Sequence, residues 1–113
     1  MMKESEKIIK EFAERLKRTE EYRLYIRKKE KVAEFPGLWE DINRYRKEYY
    51  MLQKSNEELF DKLDEFEKKY NKMCSNPVVS EYLEAELEVC KMMQEVYAQI
   101  ADAIDLDIHS YLP

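Results

Sequence analysis

The sequence predicts an all-α fold: a long antiparallel helical hairpin preceded by one or two shorter N-terminal helices, bundle-like and dimeric. Three observations carry that reading. Leu38, Ile42, Tyr45, Tyr49, Leu52, Asn56, Leu59, Leu63, Phe66, Tyr70 and Met73 follow one another at alternating steps of four and three. That is the a/d seam of a helix held against a partner helix. The 113 residues include one Gly and three Pro, too few breakers for a sheet with its turns. Pro36-Gly37 and Asn76-Pro77 bracket the seam with turn chemistry.

The elements follow in order. Ile8, Ile9, Phe12, Ala13 and Leu16 recur at helical spacing and predict a first helix over 4–17. Thr19 is a good N-cap, and Glu20 and Glu21 suit the positive end of a helix dipole. A second helix over 19–34 would bury Tyr22, Tyr25, Ile26, Val32 and Ala33; no Gly or Pro decides between two helices and one bent one. Pro36 disfavours helical geometry at Phe35 and suits a fresh start. The third helix, 38–73, carries the seam and is expected to be continuous. Ser55-Asn56-Glu57-Glu58 reads as a capping box and is the one signal against continuity.

Asn76 as N-cap and Pro77 as first helical residue start a fourth helix over 77–104, with an irregular tail at 105–113. This helix carries two adjacent stripes. One is Val79, Leu83, Glu86, Cys90, Met93, Tyr97, Ile100 and Ile104; the other is Val78, Tyr82, Ala85, Val89, Met92, Val96, Gln99 and Ala103. Two stripes make a face wide enough for more than one neighbour. The short link predicts that the third and fourth helices fold back on each other, with Glu86 roughly opposite Phe66. The apolar face left over is then the surface for a second subunit or a client protein. All 113 residues are read as one domain.

The net charge of −5 is unevenly spread: residues 1–35 carry +3, residues 36–73 carry −1 and residues 74–113 carry −7. An acidic whole argues against a dedicated nucleic-acid binder. The basic run Arg23, Arg27, Lys28, Lys29 and Lys31 is diluted by Glu20, Glu21, Glu30 and Glu34, and is better placed to lie along the acidic C-terminal helix. No apolar run reaches the ~18 residues of a membrane span. The charged N-terminus lacks the apolar stretch of a signal peptide, so the expected compartment is the cytoplasm. Cys74 and Cys90 are then expected as free thiols.

No reactive constellation can be assembled. His109 is the one histidine, without the paired Glu-x-x-His of a helical di-iron site. The two cysteines are 16 apart, without the paired spacing of a zinc or cluster site, and Cys90 sits on an apolar stripe where burial is expected. Glu81, Glu88, Glu95 and Asp102 share one helix face at seven-residue intervals and read as a solvated row or as partners for the basic segment. No enzyme and no metal are expected. The residues singled out for interaction and specificity are Asn56, Tyr82, Glu86, Met92 and Met93. Asn56 would fix register inside the seam, Glu86 is a carboxylate in an apolar stripe, and the methionines would make an adaptable contact surface.

One block resembles a known family. Asn76-Pro77-Val78-Val79-Ser80-Glu81-Tyr82-Leu83-Glu84-Ala85-Glu86 is similar to the N-P-x-V-x-E-Y-L-x-A-E block of the YlbF/YmcA family of small bacterial helical proteins. Thr19-Glu20-Glu21-Tyr22-Arg23-Leu24-Tyr25, the Phe35-Pro36-Gly37-Leu38 turn and Ile100-Ala101-Asp102-Ala103-Ile104 fall where that family has similar elements. The length suits the short YheA-like members. The resemblance implies an all-α, often dimeric, non-enzymatic regulatory adaptor that binds other regulatory proteins. Better-known members act in competence, sporulation and biofilm control and in messenger-RNA processing by RNase Y. Some carry iron–sulfur clusters on cysteines, so a multi-chain iron–sulfur or redox sensor using Cys74 and Cys90 is the alternative. This chain lacks the cysteine-bearing tail, and no cluster is expected.

Overall fold

The structure, a computed structural model, describes residues 3–54 and 59–106. Five helices follow one another: α1 (Glu4–Leu16), α2 (Glu20–Ala33), α3 (Leu38–Lys54), α4 (Leu59–Ser75) and α5 (Pro77–Ala103). No strand occurs among the described residues, and the all-α class stands. The chain divides into two compact units, Ile26–Leu83 and Met1–Tyr25 with Glu84–Pro113. Each is described by itself.

The first two helices are separate. The Thr19 hydroxyl donates to the Leu16 carbonyl at 2.7 Å and its oxygen accepts from the Tyr22 amide at 3.3 Å. One side chain thus satisfies an orphan carbonyl at the end of α1 and an orphan amide at the start of α2. Between α2 and α3 the turn depends on Gly37, whose φ of +80° is open to glycine and strained for any residue with a Cβ. At the other end of the seam a single residue, Asn76, separates α4 from α5. Its side-chain oxygen accepts from the Val78 amide at 3.0 Å, and Pro77 occupies the first helical position.

The long continuous third helix is not what forms. α3 and α4 are two helices lying antiparallel against each other. The Tyr45 ring stacks on Phe66 at 5.2 Å and meets Tyr70 edge-on at 5.2 Å, while Tyr49 lies 5.6 Å from Phe66. In one unbroken helix Tyr45 and Tyr70 would stand ~37 Å apart. The seam therefore packs against its own second half. The physical reason is symmetry: its apolar positions pair about a midpoint between Ser55 and Asn56, so one pattern serves a straight helix or a folded pair. Ser55 and Asn56 themselves lie outside the described residues, and so does His109.

The hairpin expected between the third and fourth predicted helices is thereby replaced by one between α3 and α4. Phe66, assigned a place opposite Glu86, has Tyr45, Tyr49 and Tyr70 as its ring partners.

The core of the 26–83 unit lies where α2, α3 and the first turns of α5 converge. Val32, Ile42, Val79 and Tyr82 have no exposed surface. In the other unit burial is sparse: Ala85 and Ala101 are buried, and α1 has no buried residue. α5 closes with a left-handed residue, Asp105 at φ 55°. The Leu106 amide donates to the Ala101 carbonyl at 2.8 Å and the Asp105 amide to the Asp102 carbonyl at 3.1 Å. This is a Schellman closure with an aspartate where glycine is preferred.

Two substitutions test these termini. Gly37→Ala meets no neighbouring atom within 4 Å, so its cost is the backbone's alone, about 1 kcal/mol of unfolding free energy in urea melts. Asp105→Gly relieves the same strain at the end of α5 and is expected to raise stability by up to about 1 kcal/mol in the same measurement.

Candidate interaction surfaces

The aromatic seam between α3 and α4 is clamped by an ion pair at its edge. The Lys69 ammonium reaches both Glu48 carboxylate oxygens, at 3.0 and 3.1 Å. That hydrogen bond holds the Glu48 carboxyl below its ordinary value and the Lys69 ammonium above its own. The buried Tyr70 hydroxyl lies beside the same carboxylate but outside hydrogen-bond geometry. Burial first, then Glu48, pushes its pKa up. On Tyr45, burial and then the neighbouring Cys74 thiol raise the phenol. Cys74, half-buried, is thus part of the α3–α4 packing. Cys90, expected to be buried, is exposed.

A second cluster ties α5 to α2 and α3. The Trp39 ring meets Tyr82 edge-on at 5.6 Å. Arg46 sits over both rings, 5.9 Å from Trp39 and 5.5 Å from Tyr82, and its Nη2 donates to the Tyr82 hydroxyl at 3.0 Å. The Lys29 ammonium lies 5.4 Å from the Trp39 centroid. Cations over ring faces are attracted by the ring quadrupole, and the phenol is satisfied without water. Lys28 pairs with Glu81 at 3.0 Å, joining the basic run of α2 to the acidic row of α5.

The residues singled out from sequence separate in space. Tyr82 is wholly buried; it organises Trp39 and Arg46 and does not line a surface. Glu86 and Met92 are half-buried. Met93 is 44% exposed. Asn56 lies outside the described residues. Sequence reasoning passed over Trp39 and Arg46. Their seven-residue spacing on α3 puts them on one helix face, but that face is adjacent to the seam, and an arginine on it looks like a solvated position.

Chemistry has little to work with. Among the described residues no three of His, Cys, Asp and Glu come together to hold a metal ion. The grooves along α3 and α4 are open surface features; one is floored by Met51, Leu52 and Phe66 between Arg44 and Lys62. What stands out is apolar exposure on α5: Leu87, Met93, Tyr97, Ile100 and Ile104 are 44–63% exposed, and on α1 Ile8 and Ile9 are 59% and 66% exposed. Contiguous apolar exposure marks an interaction surface.

Residues 6–105 match the family described as control of competence regulator ComK, YlbF/YmcA. The chain belongs to the YlbF/YmcA family. A UPF0342 protein of Desulfitobacterium hafniense (strain Y51) is 30% identical over 98 residues, covering 83% of this chain and 79% of that protein. No solved structure matches. The family is one of regulatory adaptors, and the resemblance read from the Asn76–Glu86 block holds. No helix of the described residues is long and apolar enough to cross a membrane.

Two predictions follow from the clusters. Tyr82→Phe removes the acceptor of Arg46 Nη2 and is expected to cost about 1 kcal/mol, against about 3–5 kcal/mol for Tyr82→Ala, both read from denaturant midpoints. The Glu48–Lys69 pair sets a pH window. Glu48's depressed pKa stabilises the fold above the ordinary carboxylate value of 4.5 and ceases to do so as pH falls through the depressed value. Lys69's raised pKa stabilises below 10.5 and is lost as pH climbs through the raised value. The stability gap between wild type and Lys69→Met should be present at pH 7 and shrink at pH 3; a gap constant with pH would refute the pairing.

Proposed function

We propose that the protein is a non-enzymatic regulatory adaptor of the cytoplasm that works as a homodimer and binds other regulatory proteins. The observation that carries this reading is the family match across residues 6–105, on a chain that leaves large apolar side chains of α1 and α5 exposed. The family's description, control of competence regulator ComK, supports this reading. By that relationship, the proposed setting is competence, sporulation and biofilm control, with messenger-RNA processing by RNase Y as the step acted on.

No resident cofactor is part of the proposal. Lys28 is engaged with Glu81 and Lys31 with Glu34, which leaves the basic run of α2 a poor electrostatic footprint for nucleic acid. Work by contact needs shape, and the shape is supplied by helices whose apolar faces exceed what the chain itself covers.

The test is a deletion of the gene in its own host, with transcript 5′ ends mapped genome-wide. Altered processing that returns to normal on complementation is the expected result. An unchanged end map, with unchanged competence and sporulation, overturns the regulatory assignment. Anaerobic purification with an iron assay checks the cofactor statement: iron bound in stoichiometric amount, and lost in Cys74→Ser or Cys90→Ser, would show a sensor instead.

A further inference from the structure

The open stripe of α5 has a charge pattern that says what covers it. In heptad terms Cys90, Met93, Tyr97, Ile100 and Ile104 are the a and d positions, at steps of three, four, three and four. The flanking e and g positions are Val89, Gln94, Val96, Ala101 and Ala103, none of them charged. Glu88, Glu95 and Asp102 all fall at the outermost f position, and Lys91 at b. A helix from a strongly acidic segment has thus kept every carboxylate between 87 and 104 off the seam and its flanks. A basic partner would call for acidic flanks. Uncharged flanks allow the helix to lie against an identical helix without like-charge repulsion.

The other stripe is already used. Tyr82 and Ala85 are buried and Val89, Met92 and Val96 half-buried. By contrast Met93, Tyr97, Ile100 and Ile104 are 44%, 53%, 46% and 63% exposed.

We infer that this stripe is a two-fold interface, in which α5 packs antiparallel against α5 of a second copy. Tyr97 then lies near the axis, Met93 faces Ile100 of the second copy and Cys90 faces its Ile104. The inference rests on the homodimer reading above and adds its surface and direction. Direction follows from Glu86, the next seam position before Cys90. A parallel pair sets Glu86 against its own copy inside an apolar seam, where two carboxylates repel. An antiparallel pair keeps them at opposite ends. A two-fold contact is self-complementary and closed, so association stops at two copies.

Area sets the strength of the contact. By their fractional exposures, Met93, Tyr97, Ile100 and Ile104 leave roughly 400 Å² open per chain. Two copies bring about 800 Å² together, the size of a weak, reversible interface below the ~1,200–2,000 Å² of the standard ones.

The full-length chain tests this in two measurements. Sedimentation equilibrium should show a dimer, and Ile100→Glu should raise its dissociation constant on the order of a hundredfold or more, since each copy loses a covered apolar side chain. Ile100 is exposed in the single chain, so the variant should keep its helical circular dichroism at 222 nm. In a Cys74→Ser background, adding Ile104→Cys should give a covalent dimer on mild oxidation, through Cys90 of one copy and the new thiol of the other. A chain that stays monomeric at every concentration overturns both the interface and the homodimer reading. A dimer indifferent to Ile100→Glu and not trapped through the new thiol overturns the interface alone. Rapid Cys90–Cys90 linkage in the Cys74→Ser chain overturns the antiparallel direction.

Discussion

Tyr45 stacked on Phe66 is the contact from which the rest of the 26–83 unit follows. It fixes α3 against α4 in one antiparallel register, with Tyr49 and Tyr70 completing the aromatic layer and Glu48–Lys69 closing its edge. Ring pairs of this kind contribute about 0.5–1.5 kcal/mol beyond the area they bury. Their larger effect is directional, because a stack and an edge contact on one ring leave little freedom to slide. Once α4 is set, Asn76 and Pro77 aim α5 from its end, and Tyr82 is delivered to Trp39 and Arg46.

The sequence made the helix ends readable because caps act locally. Thr19, Pro36-Gly37 and Asn76-Pro77 each do in space what their chemistry suggested, and the observed starts of α2, α3 and α5 follow. The Tyr45–Phe66 contact was hidden for a different reason. A heptad seam reports that a helix face is covered but not by what, and this seam is nearly its own mirror image. The Ser55–Glu58 capping box was the local clue to two helices; it was outweighed by an apolar register that runs straight through it. Cys90 and Tyr82 traded expectations likewise. Period alone identifies a stripe, while exposure depends on which neighbour arrives, and neighbours are a tertiary fact.

Charge follows a simple division of labour. The basic run of α2 is spent on Glu81, Glu34 and the face of Trp39. Beyond Glu86 the carboxylates of α5, Glu88, Glu95 and Asp102, share one face away from its apolar stripe. Such an arrangement carries the net negative charge while leaving the apolar stripe of α5 electrostatically silent. It also lets a chain that is 40% charged keep uncharged apolar stripes exposed on its helices.

Trp39 is the single tryptophan of the chain, and it sits wedged between a phenol ring and two cationic side chains. Its fluorescence is therefore a private window on one junction, the meeting of α2, α3 and the start of α5. An emission-monitored melt of this protein reports that junction and an ellipticity-monitored one all of its helices, and any gap between the two curves measures how far the junction melts apart from the helices as a whole.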